Sequence, residues 1–359
     1  MFETVSLPTF IGRVKGVEQV KFVDRLASFG CRNNQLAQLA VEQDGFADSV
    51  DEVLKKYGAH RVGVFLGTST SGILSTEIAY RHRDPVTKNL PLEFRYAHTH
   101  NTHSVSAFVR DYFKLEGPSV TVSSACSSSA KVFGNAARMM ECGLIDAAIV
   151  GGVDSLCLTT LYGFNSLELL SPQKCQPFGA DRKGISISEA AGFALLSRAR
   201  PVQKHAISMI GIGESSDAHH MSSPHPEGLG ALAAMQQALT MANLKPENID
   251  YINLHGTATR SNDAAEGLAV ASLFGCNVPC SSTKGHTGHA LGAAGVVEAA
   301  LCMLSIENHM IPGGVNTQKI DPDLHVNYQL KNLDRAPKNI LTNSFGFGGS
   351  NCSLLLAVD

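Results

Sequence analysis

Two stretches of the chain follow one plan. SSACSSSAKVFGNAARMMECG (residues 123–143) and SSTKGHTGHALGAAGVVEAALCML (residues 281–304) each run from paired serines, through small residues, into a helical pattern rich in alanine and glycine. A repeat constrains the fold more than any single motif, because each copy must be built by the same kind of supersecondary unit. The copies are either two ordinary strand–helix junctions or equivalent elements under a pseudo-twofold. In the second case the helix N-termini beside Cys126 and His289 meet at one central site. Around them, segments of strand character (RVGVFLGTSTSG, VTVSSA, DAAIVGGVDS, EAAGFALLSR, DYINLHGTAT and ILTNSFGFGGSNCSLLLAV) alternate with helical patterns such as EGLGALAAMQQALTMANL. The strands are apolar runs without alternation, as in sheets covered on both faces. The pattern is α/β. A length of 359 residues suits two fused halves, residues 1–199 and 200–359.

Composition narrows the function classes. Apolar residues at 44 % and charged residues at 17 % supply a large core and argue against disorder. A formal net charge of −3 leaves no electrostatic footprint for nucleic acid. Nine scattered cysteines, an odd number, read as reduced thiols of a cytoplasmic protein. Cys276 and Cys280 form C-x3-C, but no second pair with metal spacing follows. The longest apolar run, ALGAAGVVEAALCML, is interrupted by Glu298 and falls short of the ~20 residues that span a bilayer. It reads as a helix buried on most faces. No targeting segment is visible.

Cys126 is the first candidate for chemistry. A cysteine is usually a small buried hydrophobe. Here it stands between a strand and a helix, where the partial positive charge of the helix N-terminus lowers a thiol pKa. Ala125, Ser127, Ser128 and Ser129 permit a tight turn whose N–H groups can serve an oxyanion. Ala130, Phe133, Ala137 and Met140 share one helix face and anchor the junction. A nucleophilic cysteine needs histidine help from elsewhere in the fold. His255 closes the apolar strand DYINLHGTAT, and His289 closes STKGHTGHALGAAG. Lys284 stands five residues before His289 in a glycine-rich loop. Glu266 either pairs with Lys284 and holds it or is a helix-surface acid, with Asp263 one turn away.

Other clusters are discounted. HTHNTH (His98, His100, His103) resembles a metal comb but has no acidic or thiol partner nearby. DAHHMSSPHP places His219, His220 and His225 in a loop near a site entrance. GTSTSG lacks the lysine and spacing of a phosphate loop, and FGFGGSN has no helix behind it. No metal site is expected.

SSACSSSA, HGTAT, TKGHTGH followed by LGAAG, and NSFGFGGSN stand in the order found in β-ketoacyl-[acyl-carrier-protein] synthases of the type I/II class, and the chain resembles that family from about residue 60 to its end. The resemblance implies a thiolase-like fold, two similar α/β halves in an αβαβα five-layered arrangement, assembled as a dimer. It implies that Cys126 accepts the acyl group, that His255 and His289 complete a Cys-His-His triad, and that Lys284 is the lysine of the TK loop with Glu266 as its ion-pair partner. Thr257 and Thr259 match the threonines that bind the phosphopantetheine arm. Phe345 and Phe347 match the gating-loop pair, and Phe164 an aromatic of the acyl pocket. The small residues around Thr160 and Ser104 are further candidates for shaping that pocket.

The implied reaction is a decarboxylative Claisen condensation of malonyl-carrier protein with an acyl group held on Cys126. It needs no cofactor of the enzyme's own, because phosphopantetheine arrives on the carrier protein. The alternative is a non-catalytic, chain-length-factor-like partner subunit, against which the presence of Cys126 with both histidines speaks. The expected partners are an acyl carrier protein, with Arg32 and Lys114 as candidate contacts, and a second subunit in a homo- or heterodimer. A narrower resemblance rests on GGVDSLCLTTLYGFNSLELLSP, ESSDAHHMSSPHPEGLG and PCSSTKGHTGH, which look like ketosynthases of bacterial aryl-polyene clusters. Two departures stand out. The opening MFETVSLPTFIGRVKGVEQVKFVDR shows no I-T-G-x-G strand, and the resemblance places some tens of residues ahead of it. His286 replaces a hydrophobic residue common in that loop, where it either perturbs Lys284 or faces solvent.

Overall fold

The protein is described here by a computed structural model covering residues 5–198 and 206–358. The expected division at 199/200 lies outside the described residues. The first half carries strands β1 (Ile11–Gly12), β2 (Val62–Gly67), β3 (Ser119–Val122), β4 (Ala147–Asp154), β5 (Ile187–Ser188) and β6 (Ala190–Ser197). Its helices are α1 (Arg32–Val41), α2 (Phe46–Tyr57), α3 (Ile73–Arg81), α4 (Ser104–Tyr112), α5 (Ser128–Glu141) and α6 (Leu158–Ser166). The second half carries β7 (Ser208–Ser216), β8 (Tyr251–Asn253), β9 (Pro279–Ser281), β10 (Asn327–Tyr328), β11 (Asn339–Gly346) and β12 (Ser350–Ala357). Its helices are α7 (Leu229–Ala242), α8 (Arg260–Phe274), the single turn α9 (Lys284–Thr287) and α10 (Ala294–Glu307).

The main sheets have the orders β3-β2-β4-β6 and β10-β9-β8-β11-β12-β7. Within them β3-β2-β4-β6 and β9-β8-β11-β12 are paired alike: parallel, parallel, antiparallel. The repeat seen in the sequence is therefore a repeat of topology. Cys126 follows β3, and His289 follows β9, its counterpart. β2 (VGVFLG) and β4 (AAIVGGVD) are buried at every position, which is why their sequences are apolar without alternation.

The layers follow from which helix covers which face. α5 packs on β2, β4 and β12, and α10 on β4, β6, β11 and β12, so both helices lie between the two sheets. α1, α2 and α4 cover the outer face of the first sheet, and α7 that of the second, with α8 against it. This gives five layers. The central core includes Phe65, Phe133, Val296 and Leu354; the outer cores centre on Val64, Leu66 and Phe108, and on Met235, Ile252 and Leu341. Each such side chain contributes about 1.5–3 kcal/mol when fully buried. In α5 it is Ala136, fully buried, rather than the expected Ala137 that joins Ala130, Phe133 and Met140 in the core. α10 shows why ALGAAGVVEAALCML is apolar nearly all round: it is packed between sheets, and no described helix is long and apolar enough to cross a membrane.

The edges of the sheets differ. β7 pairs antiparallel with β12 along its length. β6, the counterpart of β12, has no strand on its outer edge among the described residues, and Ala190–Leu196 are half-buried.

Candidate active site

Each half delivers one turn to the centre. Cys126 sits in the loop from β3 to α5, behind Ala125, which adopts a left-handed φ of 51°. The thiol is 5 % exposed. His289 enters through the turn after α9, and its Nε2 lies 3.1 Å from Cys126 Sγ. His255, at the end of β8, packs edge-on to His289 with ring centroids 5.4 Å apart. Lys284 is buried, donates to the His255 carbonyl at 2.6 Å, and places Nζ 3.3 Å from His255 Nδ1. An ammonium has only donors. His255 Nδ1 therefore turns its lone pair to Lys284, and the ring proton sits on Nε2.

Burial governs the protonation of this site. It holds His255 and His289 well below 6.5, and the nearby Lys284 charge acts in the same direction. It pushes the Cys126 thiol up to about 11, with Lys284 and the Phe347 backbone N–H pulling down and Asp154 and Glu298 pushing up. This overturns the expectation of a depressed thiol pKa: desolvation of the charged form outweighs the favourable neighbours. The resting pair is thiol and neutral imidazole.

The expected Lys284–Glu266 pair is not formed. Lys284 pairs instead with Glu298 of α10, both nearly inaccessible. Glu266 is no surface acid either. It is buried, and its carboxylate accepts the N–H groups of His255 and Gly256 at 2.8 Å and the Asn343 amide at 3.2 Å. Its place on α8 puts it under the backbone of the HGTAT loop, where it shapes the loop that presents His255. Burial pushes both carboxyls up to about 7.

A cavity of about 50 Å³ opens on Cys126, His255 and His289 and is lined by Thr257, Thr259, Phe164, Phe345 and Phe347. The two threonine hydroxyls are 2.9 Å apart, and Thr259 also caps α8. Phe347 packs on Phe164 with centroids 5.5 Å apart, and Phe345 on His255 at 5.9 Å. Sγ and the imidazole nitrogens lie within 4.8 Å of one another, a spacing that metal ligands also adopt. The Lys284 ammonium at His255 and the protonated thiol both oppose a cation there.

Several other expectations change. Arg32 is not free to dock a carrier protein: it is held by the buried Glu189 and by Glu18. Lys114 is exposed. His286 is exposed to solvent, with its Nε2 3.5 Å from the Gly313 carbonyl. Thr160 and Ser104 do not line the cavity; Ser104 is buried against Asn34. His98, His100 and His103 are apart: His98 packs on Phe29, His100 bonds Thr76, and His103 precedes α4. The 217–225 loop does reach the cavity, through Ser222, Ser223 and Pro224 rather than its histidines. GTSTSG cradles an anion from within the chain, the Asp154 carboxylate.

Sequence reasoning missed Glu298 and Asp154. Glu298 carried a signal: a lone acid in a run buried on most faces requires a partner.

The comparisons agree with this geometry. Residues 19–201 match the family model of the beta-ketoacyl synthase N-terminal domain and residues 207–318 that of the C-terminal domain. The 3-oxoacyl-[acyl-carrier-protein] synthase 2 of Vibrio cholerae is 31 % identical over 99 % of this chain and 89 % of its own length. That of Rhizobium meliloti is 35 % identical over 82 % and 73 %. A solved ketosynthase, in complex with its chain length factor, from Xenorhabdus doucetiae superposes with a TM-score of 0.89 at 41 % identity, covering 98 % of this chain and 87 % of that one. With five layers, a repeated half and a cysteine flanked by two histidines, the chain belongs to the β-ketoacyl synthase family, as an acyl-transferring 3-oxoacyl-[acyl-carrier-protein] synthase on a thiolase-like α/β fold.

Proposed function

We propose that Cys126 carries the growing acyl chain and that His255 and His289 drive its extension. The observation that carries this reading is the 3.1 Å contact from Cys126 Sγ to His289 Nε2, with Lys284 orienting the neighbouring His255. As Sγ attacks the acyl thioester of the carrier, its proton passes to His289 Nε2 and on to the departing pantetheine thiolate. The arm lies along Thr257 and Thr259. A malonyl thioester then replaces it, and its C–C bond breaks to release carbon dioxide. The enolate oxygen is held by imidazole N–H groups of His255 and His289. The carbanion attacks the acyl carbonyl, whose oxyanion lies against the N–H groups of Cys126 and Phe347. The C–S bond breaks, and the Cys126 thiolate takes up a proton that enters from solvent. No cofactor or metal of the enzyme's own enters these steps.

The finer reading is a ketosynthase of an aryl-polyene type, working in the cytoplasm on an acyl carrier protein beside a related subunit. The stretches quoted above support the subgroup. The Xenorhabdus relative, seen with its chain length factor, supports the second subunit. α3 and α6 touch and carry the exposed apolar residues Ile78, Tyr80, Tyr162 and Leu167, apolar surface that such a subunit would cover.

Incubation with an acyl-loaded carrier protein, followed by intact mass measurement, tests the reading. Wild type gains the acyl mass, Cys126→Ala does not, and malonyl-carrier protein discharges the adduct. A folded wild type that takes no acyl group is instead a non-catalytic partner subunit.

A further inference from the structure

A carboxylate outside the trio ties both catalytic turns together. Asp154 ends β4 and is fully buried. Its Oδ1 accepts from the Thr68 hydroxyl at 2.8 Å, the Ser69 N–H at 2.8 Å, and the N–H and hydroxyl of Thr70, both at 2.7 Å. Its Oδ2 accepts from the Gly292 N–H at 2.5 Å. Gly292 stands three residues after His289, in the turn Leu291–Ala293 that feeds α10. A Cβ at Gly292 would fall 2.8 Å from Oδ2 and 2.7 Å from Ser69 Oγ, so the turn sits directly on the carboxylate. On the other side, Ser69 donates its hydroxyl to the carbonyl of Ala125 at 3.2 Å. Ala125 is the left-handed residue before Cys126.

All five donors are neutral: burial raises the Asp154 carboxyl above its ordinary value, and the dipoles of Thr68, Ser69 and Thr70, rather than a cation, favour its charged form against that. Charge-assisted hydrogen bonds of this kind are short and directional, and a fully satisfied buried network specifies one geometry. Neither the thiol nor the imidazoles touch Asp154. Its reach is through backbone: one oxygen orders the loop that grips the nucleophile's turn, and the other grips the turn of the histidine.

We propose that Asp154 is the positioning residue that sets the Cys126–His289 separation, one carboxylate fixing the register of the two halves at the point where the reaction crosses them. The proposal rests on Cys126 being the nucleophile. Its closing experiment therefore includes a readout of the thiol that needs no condensation.

The variant is Asp154→Asn, which keeps the shape but has a single acceptor oxygen, so it serves the loop or the turn and not both. Condensation kcat should fall about 10–100-fold, as expected for a misplacement approaching 1 Å, while KM for the carrier stays within about threefold. The pH midpoint of Cys126 alkylation by iodoacetamide should move down, because a negative charge near the thiol is lost; since hydration of a loosened site would also lower it, the shift counts only with the wild-type melting temperature and near-UV circular dichroism retained. Ser69→Ala cuts only the tie to Ala125. It should slow the reaction by a smaller factor and add little on top of Asp154→Asn. A folded Asp154→Asn enzyme with kcat within twofold of wild type overturns the proposal. So do losses in the two variants that multiply, or an alkylation midpoint that does not move. Should Asp154→Asn fail to fold, Ser69→Ala with a wild-type rate overturns it alone. If wild type itself takes no acyl group, the functional reading has failed, and the alkylation midpoint and its non-additivity still decide the positioning role.

Discussion

In the proposed reaction His255 and His289 act as neutral imidazoles, and the fold keeps a second proton off each of them. Both titrate well below 6.5 in the native state, chiefly through burial. The unfolded chain binds those protons more readily. Stability from this source is therefore complete above pH 6.5 and is lost as the pH falls below it, at about 1.4 kcal/mol per pH unit for each histidine. Glu266 and Glu298, raised to about 7, act in the opposite sense: their contribution is complete below pH 4.5 and is lost as the pH rises through 7. A comparison of wild type with His289→Asn cancels the carboxyl contributions. Urea unfolding at pH 7.5 and 5.5 should show wild type losing about 1.4 kcal/mol more than the variant across the step. Equal losses would mean that His289 is not held neutral. At this scale the residue types at Cys126, His255, His289 and Lys284 were legible in the sequence, since each ends or follows a recognisable strand. The pairing of Lys284 was not, because Glu266 and Glu298 are both acids in helical segments and only their positions in space, on α8 and on the central α10, separate them.

Among the elements, the crossing of α5 and α10 does most to bring the two turns together. A Cβ on Gly295 would lie 2.7 Å from the backbone nitrogen of Ala130. Backbone cannot swing aside, so Gly295→Ala must push the helices apart. The expected cost is about 1–3 kcal/mol, as for other overpacked cores, and acylation of Cys126 should slow because the helices begin at Cys126 and just beyond His289. Gly134→Ala in α5 makes the contrast. Its new Cβ would meet the Ile212 Cδ1 tip at 2.6 Å and the Arg138 guanidinium at 3.2 Å, both ends of flexible side chains. The gain of about 0.5–1 kcal/mol in helix propensity then offsets the adjustment, and thermal unfolding should place it near wild type. The repeat of small residues announced a close junction in the sequence. Which glycine bears the contact depends on helix phase, which the repeat does not contain.

At the scale of the whole molecule, α3 and α6 touch and both carry exposed apolar groups, Ile78 and Tyr80 on α3 and Tyr162 and Leu167 at α6, with Val86 and Leu92 in the segment after α3. The proposed subunit interface lies there. Tyr80→Asp combined with Tyr162→Asp should shift the species seen by size exclusion with light scattering toward the single chain, without lowering the melting temperature of that chain. An unchanged mass distribution would place the interface elsewhere. The same scale explains why Arg32 misled as a docking residue. A lone arginine beside a polar helix reads as surface charge, but Glu189, 157 positions away, draws it into a buried pair.

By itself the sequence determined the α/β pattern, the repeat of a strand–helix junction, and the order of Cys126, His255, Lys284 and His289. All of these are written in local periodicity and in turns of small residues. Only the tertiary structure decided that Glu298 holds Lys284, that the Cys126 thiol rests protonated, and that Asp154 binds the loop after β2 to the turn after His289. Desolvation and charge interactions depend on distance through space, and these groups, up to 138 residues apart in the chain, become neighbours only when the two halves close around α5 and α10.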